Sequence, residues 1–383
     1  MSTKILIGAD IVPTQSNMDL FCSGNIDELL GSDLENYLNE ADYIILNLEA
    51  PYIDDDHPIV KAGANMRAPR KAFEGVKKID PCFFGLANNH ILDHGQEGLF
   101  STMQLLEENG IAYAGAGKNL DEASKPHIAN VNGLKVGIYA CTEHEYSIAQ
   151  DDKAGANPYD PLYSFDHVRE LRKQCDYVIV LYHGGKEYYR YPTPMLQKAF
   201  RKFAEVGADL VVAQHTHCIG CYEKYMDSTL VYGQGNFLFD DGDREEEKTS
   251  YLLDVTFSNG KTDVQFIPLV KYINAVRIAT GDIKRKIDLE FEQRTEEIKE
   301  QGFISFTFRQ LSLSQRRTYL LGIAGGFSRT LPMKVVCRML GNKMTDCFYA
   351  NRKGLPADDF IKCETHREIL LDILNAITKK NGD

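Results

Sequence analysis

The sequence predicts an α/β fold built around a largely parallel β-sheet. Through the first 240 residues, apolar runs of strand length alternate with amphipathic segments of helix length, which is the pattern of βαβ units. Beyond residue 251 two apolar runs follow each other with no helix between them. The Asn259-Gly260 dipeptide that separates them is a hairpin signal, so this last part of the sheet is predicted to be antiparallel.

The individual elements follow from run length and spacing. Strands are predicted over 4–9, 42–48, 82–87, 111–114, 134–141, 176–182, 209–214 and 229–233, and the hairpin over 251–257 and 264–270. Helices are predicted over 25–38, 69–78, 96–109, 164–174 and 194–206. In the helix at 96–109, Leu99, Met103 and Leu106 recur at helical spacing and Gly110 ends the pattern.

Charge divides the chain into an acidic body and a basic tail. The net charge of the 383 residues is −12, yet residues 303–383 carry 13 Lys and Arg against 7 Asp and Glu. The overall sign excludes nucleic acid as an expected partner. A basic tail of this kind is predicted to dock on the acidic body, on an anionic membrane surface or on an acidic protein partner.

Three regions are predicted from these patterns. Residues 1–280 form the α/β domain, 281–302 a charged linker, and 303–383 a basic helical tail with helices over 331–340 and 366–379. The first residues lead directly into an apolar run, so no secretory signal is expected. Because the nine cysteines are scattered and no apolar run approaches roughly 18 residues, we expect a cytoplasmic protein, peripheral to the membrane at most.

Side chains that can bind metal follow five of the predicted strands. They are Asp10, Glu49, Asn89 with its neighbour His90, His183, and the His215 and His217 pair. The same ends of parallel strands meet at one sheet edge, with neighbouring strands about 4.8 Å apart. Each residue alone also has an ordinary structural explanation, such as helix capping or a satisfied buried histidine. Five such endings together predict a site for two divalent metals that share a bridging carboxylate.

The ligand types suggest both the metal and its chemistry. Mixed oxygen and nitrogen ligands suit Mn²⁺, Fe²⁺ or Zn²⁺. Two such ions about 3.5–4 Å apart can activate a bridging water as the nucleophile and hold a phosphate for in-line displacement. We expect Asn89 to bind metal and His90 to assist the phosphate or leaving oxygen. Asp93 is assigned to the catalytic pair as the acceptor that orients His90, although it could equally cap the helix at 96.

Five further polar residues are candidates for binding an anionic substrate. Lys61 and Arg67 in VKAGANMRAP could neutralise its charge or simply be solvated, and Glu187 could touch it or face water. Asn236 in GQGNF could line the pocket, although its glycine neighbours equally indicate a turn. Asn88 is included because it adjoins Asn89.

Several of these segments together resemble a known family. They are Asp10, NLEAP at 47–51, ANNHILDHG at 87–95, HGGKEYYRYP at 183–192, GADLVVAQHTH at 207–217 and LVYGQGNFLFD at 230–240. In this order they resemble the capsule-synthesis CapA family, also called poly-γ-glutamate synthesis proteins, within the calcineurin-like metallophosphatase superfamily. The resemblance covers roughly residues 1–280.

This resemblance implies a metallophosphatase-like two-sheet αββα sandwich, here with a C-terminal helical extension. It implies that Glu49 replaces the bridging Asp of ordinary metallophosphatases and that His90 is the catalytic histidine. Asn89, His183 and His215 would complete one metal site, while Asp10 and His217 would serve the other. The superfamily's first motif is Asp-x-His, but this chain has Val12 at the histidine position, so the second site is expected to be weaker.

The expected function is that of a metal-dependent hydrolase. Its substrate would be a phosphoester or another anionic small molecule or polymer precursor of the capsule or cell envelope. Two alternatives remain at this point: a non-enzymatic accessory protein of capsule or poly-γ-glutamate biosynthesis, and a γ-glutamyl amide hydrolase that uses the same metal chemistry.

Overall fold

The computed structural model describes residues 3–240, 242–258, 260–323 and 354–379. The chain divides into two compact units between Ile304 and Ser305. All the predicted site residues belong to the first unit.

The strands of the first unit are numbered here in chain order. They are β1 (Thr3–Val12), β2 (Tyr43–Leu48), β3 (Phe83–Gly85), β4 (Ala112–Ala114), β5 (Ala116–Gly117), β6 (His127–Val131), β7 (Leu134–Thr142), β8 (Gly155–Ala156), β9 (Tyr177–His183), β10 (Leu210–Gln214), β11 (Tyr222–Tyr225), β12 (Ser228–Val231), β13 (Asn236–Phe239), β14 (Thr249–Ser258), β15 (Lys261–Tyr272) and β16 (Ala275–Ile278).

The α-helices are numbered in the same way. They are α1 (Met18–Ser23), α2 (Ile26–Leu30), α3 (Ser32–Asn39), α4 (Phe73–Lys78), α5 (Gly95–Glu108), α6 (Leu120–Ala123), α7 (Ser164–Arg172), α8 (Pro194–Glu205), α9 (Gly281–Glu297), α10 (Phe303–Ile323), α11 (Leu355–Lys362) and α12 (Glu364–Lys379). Short 3-10 helices span Arg70–Ala72 and Glu245–Lys248.

Two mixed sheets form the body of the first unit. The first sheet has the order β16-β15-β14-β1-β2-β3-β4, with β13 also paired to β1, and the second has the order β11-β12-β10-β9-β7-β6. Strands β1 to β4 run parallel, as do β7, β9, β10 and β12. The β14–β15 pair is antiparallel, with Ser258 opposite Lys261, which confirms the predicted hairpin.

Strand alternation assigns each buried side chain to a layer. Ile5 and Ile45 of the first sheet share one apolar cluster with Ile179 and Val212 of the second, so the two sheets pack face to face. On the outer face of the first sheet, Leu6 and Leu46 pack with apolar residues of α3, α4 and α5. On the outer face of the second, Val180 packs with apolar residues of α7 and α8. The four layers are those of the predicted αββα sandwich.

Two predicted elements differ from the structure. The single helix expected over 25–38 is divided into α2 and α3 at Gly31, whose φ of 72° a helix does not accommodate. Residues 281–302, predicted to be a charged and weakly helical linker, are mostly occupied by α9 and belong to the first unit. Ile287 and Phe291 of α9 are buried in the cluster between the sheets. These two residues lie one helical turn apart, and the many charged residues around them conceal that spacing.

The tail is described only in part. The helix predicted over 366–379 is confirmed as α12, whereas the one predicted over 331–340 lies outside the described residues. Within the described ranges, no helix combines the length and apolarity needed to cross a bilayer. Docking of the tail on a membrane surface or a protein partner stays a prediction.

Candidate metal centre

The predicted ligands meet at one end of the gap between the two sheets. Leu181 of β9 faces this gap, and His183, two residues further along the strand, points the same way. In β2 the same alternation places Ile45, Asn47 and, just beyond the strand, Glu49 on the side that faces the gap. In β1 the register shifts between Ile7 and Asp10, at the place where the strand presents its carboxylate.

Five potential ligands are thereby brought together, in two overlapping groups. In one group, ligand atoms of Asp10, Glu49 and His183 all lie within 4.8 Å of one another. In the other group, Glu49 lies within the same distance of His215 and His217. Glu49 belongs to both groups, as a bridging carboxylate would.

The residues that the resemblance assigns to a common metal also lie close together. Asn89 Oδ1 lies 3.0 Å from His183 Nε2, and the ring centroids of His183 and His215 are 4.8 Å apart. His217 Nδ1 lies 3.7 Å from Asp10 Oδ2. His217 Nδ1 donates to Asn236 Oδ1 at 2.8 Å, which leaves Nε2 facing Glu49 at 4.0 Å.

The donor set fits divalent cations. Both carboxylate oxygens of Glu49 are buried, and among the described residues neither has a hydrogen-bond partner of good geometry. The His183 ring lies beside this carboxylate, with Nε2 3.1 Å from Oε1. A buried carboxylate is costly unless cations or donors compensate it. An ion shared by Glu49, carboxylate and imidazole would supply that compensation, and Mn²⁺, Fe²⁺ and Zn²⁺ all accept such ligands.

Burial and mutual charge set the protonation of the site. Burial, followed by the nearby charge of Glu49, raises the pKa of Asp10 to about 6. Burial would also raise the pKa of Glu49, but His217 and His183 outweigh it and the net shift is downward. Burial lowers the pKa of His215 well below its usual value. His215 is therefore neutral at pH 7, which is the form that binds metal.

Backbone strain marks the segment after β10. His215 has a φ of 82° and His217 a φ of 51°, in the left-handed region that costs non-glycine residues on the order of 1–3 kcal/mol each. The His215 amide donates to Asp10 Oδ2 at 3.1 Å, which fastens this segment to the first sheet. Such strain at two histidines that are separated by a single residue indicates a functional constraint.

His90 lies next to the metal groups in a cluster of its own. Its Nδ1 is 2.6 Å from Asp93 Oδ2, within hydrogen-bonding distance. Lys61, predicted to contact substrate, instead forms a buried ion pair with Asp93. Its ammonium is thus engaged inside the protein.

The other predicted substrate residues fall into two sets. Asn88 is fully buried, donates to Leu48 O at 2.9 Å and accepts from the His90 amide at 3.1 Å, so it joins two loops and does not face a substrate. Arg67 donates to Asp54 O at 2.5 Å and to Ile53 O. Glu187 and Asn236, by contrast, both act on His217, through charge and through the hydrogen bond described above.

Two residues at the site are missing from the predicted set. Asn47 Nδ2 donates to Asp10 Oδ1 at 2.6 Å and lies 3.3 Å from His183 Nδ1, so it holds two ligands in place. Glu145, after β7, accepts from Asn89 Nδ2 at 3.3 Å and lies 4.0 Å from His215 Nε2. The rule that found the other ligands, a polar residue just beyond a buried strand, would also have found Glu145.

Removal of the Asn236 side chain should weaken metal binding. Asn236→Ala deletes the acceptor that fixes the His217 ring, and loss of such a partner costs about 10- to 100-fold in metal affinity. Isothermal titration of the metal-free protein with Mn²⁺ or Zn²⁺ measures this change. The exposed Asn130 of β6 provides the matched control, Asn130→Ala. Equal affinities for the two variants would show that Asn236 does not position His217.

Comparisons with known proteins agree with these motifs. The family model described as bacterial capsule synthesis protein PGA_cap matches residues 7–241. The capsule biosynthesis protein CapA of Bacillus anthracis is 28% identical over 242 residues, which are 61% of this chain and 59% of that protein. The PGA biosynthesis protein CapA of Bacillus subtilis is 26% identical over 213 residues, 55% and 56% of the two chains. The chain thus spans less than two thirds of the length of either relative.

A third relative and two solved structures are more distant. A probable polyglutamine synthesis accessory protein of Mycobacterium tuberculosis is 26% identical over 258 residues, 62% of this chain and 67% of that protein. A phosphatase structure from Mycoplasma pneumoniae has a TM-score of 0.43 at 17% identity and covers 70% of this chain and 94% of that one. A 5'-nucleotidase precursor from Thermus thermophilus has a TM-score of 0.41 at 15% identity, covering 76% and 59%. Because both scores are below 0.5, the fold described above rests on this chain's own sheets and layers.

Proposed function

Because this chain belongs to the bacterial capsule synthesis family PGA_cap, whose model matches more than half of it, we propose that it is a metal-dependent hydrolase. The proposed substrate is a phosphoester or an anionic precursor of a capsule or cell-envelope polymer. The observation that carries the proposal is Glu49. Its carboxylate is buried, belongs to both ligand groups, and has no hydrogen-bond partner of good geometry in the part of the chain that the structure describes.

The residues of the two groups would hold the ions. Asp10, Glu49 and His183, with the Asn89 amide oxygen beside them, suit one, and Glu49, His215 and His217 suit the other. When bound, ions of this class lower the pKa of a coordinated water and offset the charge of phosphoryl or carboxylate oxygens. That second contribution matters here because Lys61 is paired with Asp93.

The protein's own contribution is a positioned imidazole. Asp93 accepts from His90 Nδ1, which fixes the tautomer that leaves Nε2 as the outward atom. His90 also interacts electrostatically with Glu49 and His215, so it borders the ligand groups. In this tautomer Nε2 of the neutral ring is a hydrogen-bond acceptor. It would donate to the developing charge or leaving oxygen of a substrate only when the ring carries a proton on both nitrogens.

A second candidate is a non-enzymatic accessory protein of capsule or poly-γ-glutamate biosynthesis. Val12 favours it, because this residue occupies the histidine position of the superfamily's first motif and is buried in an apolar cluster with Ala50 and Phe239. One ligand is thereby lost from the site. The mycobacterial relative is named as a probable polyglutamine synthesis accessory protein, which points the same way.

Turnover assays separate these candidates. The full chain, loaded with Mn²⁺, Fe²⁺ or Zn²⁺, is tested on an aryl phosphate, an aryl phosphodiester and a γ-glutamyl peptide. We expect phosphoester turnover that is abolished by EDTA and by His183→Asn but kept by His167→Asn, a histidine outside the ligand groups. Release of glutamate without phosphate would instead identify a γ-glutamyl amide hydrolase. Metal binding without turnover of any of the three would support the accessory role.

A further inference from the structure

We propose that Lys61 is a positioning residue for His90 and that it acts through Asp93. This inference rests on the proposed hydrolase function, because it concerns how the imidazole of that same site is held. Lys61 would then contribute to turnover without touching the substrate.

Three donors converge on the Asp93 carboxylate. The Lys61 ammonium pairs with Oδ1, while the Met66 amide and His90 Nδ1 each lie 2.6 Å from Oδ2. Lys61 Nζ is also 3.2 Å from His90 Nδ1. The two oxygens are thus divided between the lysine on one side and the histidine with the Met66 amide on the other.

Burial makes this arrangement depend on the lysine. The side chain of Asp93 is 0% exposed and that of Lys61 only 3% exposed. A buried carboxylate that loses its cation is strongly destabilised, because neither water nor another charge compensates it. Without Lys61, we expect the Asp93 carboxylate to move toward water or other donors, and the His90 ring to lose its fixed orientation.

Lys61 also connects a loop to the site. Its neighbour Ile59 donates its amide to the Asp93 carbonyl oxygen at 2.9 Å, and Asn65 Nδ2 donates to Ile59 O at 2.9 Å. The segment from Ile59 to Met66 is therefore folded around Asp93. The orientation of His90 and the conformation of this loop support each other through one carboxylate.

The same burial argues against direct substrate binding by Lys61. The Lys61 side chain is 3% exposed and its ammonium is paired with Asp93, so it has little surface to offer an anion. Binding a substrate phosphate would require it to leave the carboxylate, at the cost of an unpaired buried charge. The two roles therefore predict different kinetics, since a substrate contact mainly affects KM and a positioning contact mainly affects kcat.

The test compares Lys61→Met and Lys61→Arg in the full chain. We expect Lys61→Met to lower kcat by about 10- to 100-fold, as for other residues that orient a site through one partner, with KM and metal content unchanged. Lys61→Arg should restore most of kcat because it keeps the positive charge. Lys71→Met, at an exposed lysine of the 3-10 helix Arg70–Ala72, should behave as the wild type. A raised KM with unchanged kcat, or a loss of bound metal, would overturn the proposal.

Two further measurements test whether Lys61 acts through Asp93. The first compares kcat values, and the second is spectroscopic and does not depend on turnover. In an Asp93→Asn background, Lys61→Met should lower kcat little further, whereas full additivity would show that Lys61 does not act through Asp93. The Nδ1 proton of His90 in the ¹H spectrum of ¹⁵N-histidine-labelled protein should persist in Lys61→Arg and disappear in Lys61→Met. Its persistence in Lys61→Met would refute the inference. Absent turnover in the wild type would refute only the hydrolase function and leave this spectroscopic test intact.

Discussion

Replacement of Glu49 by Gln is expected to empty both metal sites and to lower turnover by at least about 100-fold. Loss of a residue that only orients a metal ligand lowers activity by about 10- to 100-fold, and loss of a ligand itself should have a larger effect. The substitution keeps the shape of the side chain but replaces one anionic oxygen with an amide nitrogen that cannot bind a cation. Because Glu49 belongs to both ligand groups, one change affects both ions. Metal content by mass spectrometry and turnover of an aryl phosphodiester measure the result.

A second buried glutamate provides the control for this experiment. Glu247 is buried but belongs to neither ligand group, so Glu247→Gln should keep its metal. Retention of two ions per chain by Glu49→Gln would contradict the bridging role. Loss of one ion alone would assign Glu49 to a single site.

Replacement of Phe291 by Ala is expected to destabilise the first unit by about 3–5 kcal/mol, as for other large aromatic residues removed from a core. Phe291 of α9 is 3% exposed. Its ring centroid lies 4.8 Å from that of Tyr251, 4.8 Å from that of Phe266 and 5.4 Å from that of Tyr222. The free energy of unfolding, from urea titration of the full chain, measures the change.

The same helix offers a matched control. Leu289 is 66% exposed, so Leu289→Ala should change the free energy of unfolding by no more than about 0.5 kcal/mol. Equal effects at the two positions would mean that α9 is a surface helix rather than part of the core. A chain that ends at residue 280 lacks Phe291 altogether and is expected to fold poorly.

The sequence pattern predicted the α/β core and the clustering of metal-binding side chains because both depend on the same feature, whereas the two-sheet sandwich was implied by the family resemblance. Strands β1, β2, β3, β9 and β10 are buried on both faces, so they read as uninterrupted apolar runs. A polar residue at the end of such a run is conspicuous. Glu49, His183 and His215 were found in this way, and the structure brings all three together.

Other features depend on contacts that leave no local pattern. Strand β11 is the short, polar sequence Tyr-Glu-Lys-Tyr at a sheet edge, and β13 follows glycines that indicate a turn. Helix α9 hides two core residues among charged ones. The ion pair of Lys61 with Asp93 joins residues 32 positions apart, and no spacing rule connects them.

The location of the candidate centre also links the protein to its ionic surroundings. Asp10 and Glu49 come from the first sheet, while His183 and His217 come from the second. A bound ion would therefore connect the two sheets of the sandwich. A ligand that only the native state binds adds about 2.7 kcal/mol of stability at a free concentration 100 times its dissociation constant. The free concentration of that ion would then set part of the free energy of unfolding, even where no substrate is present.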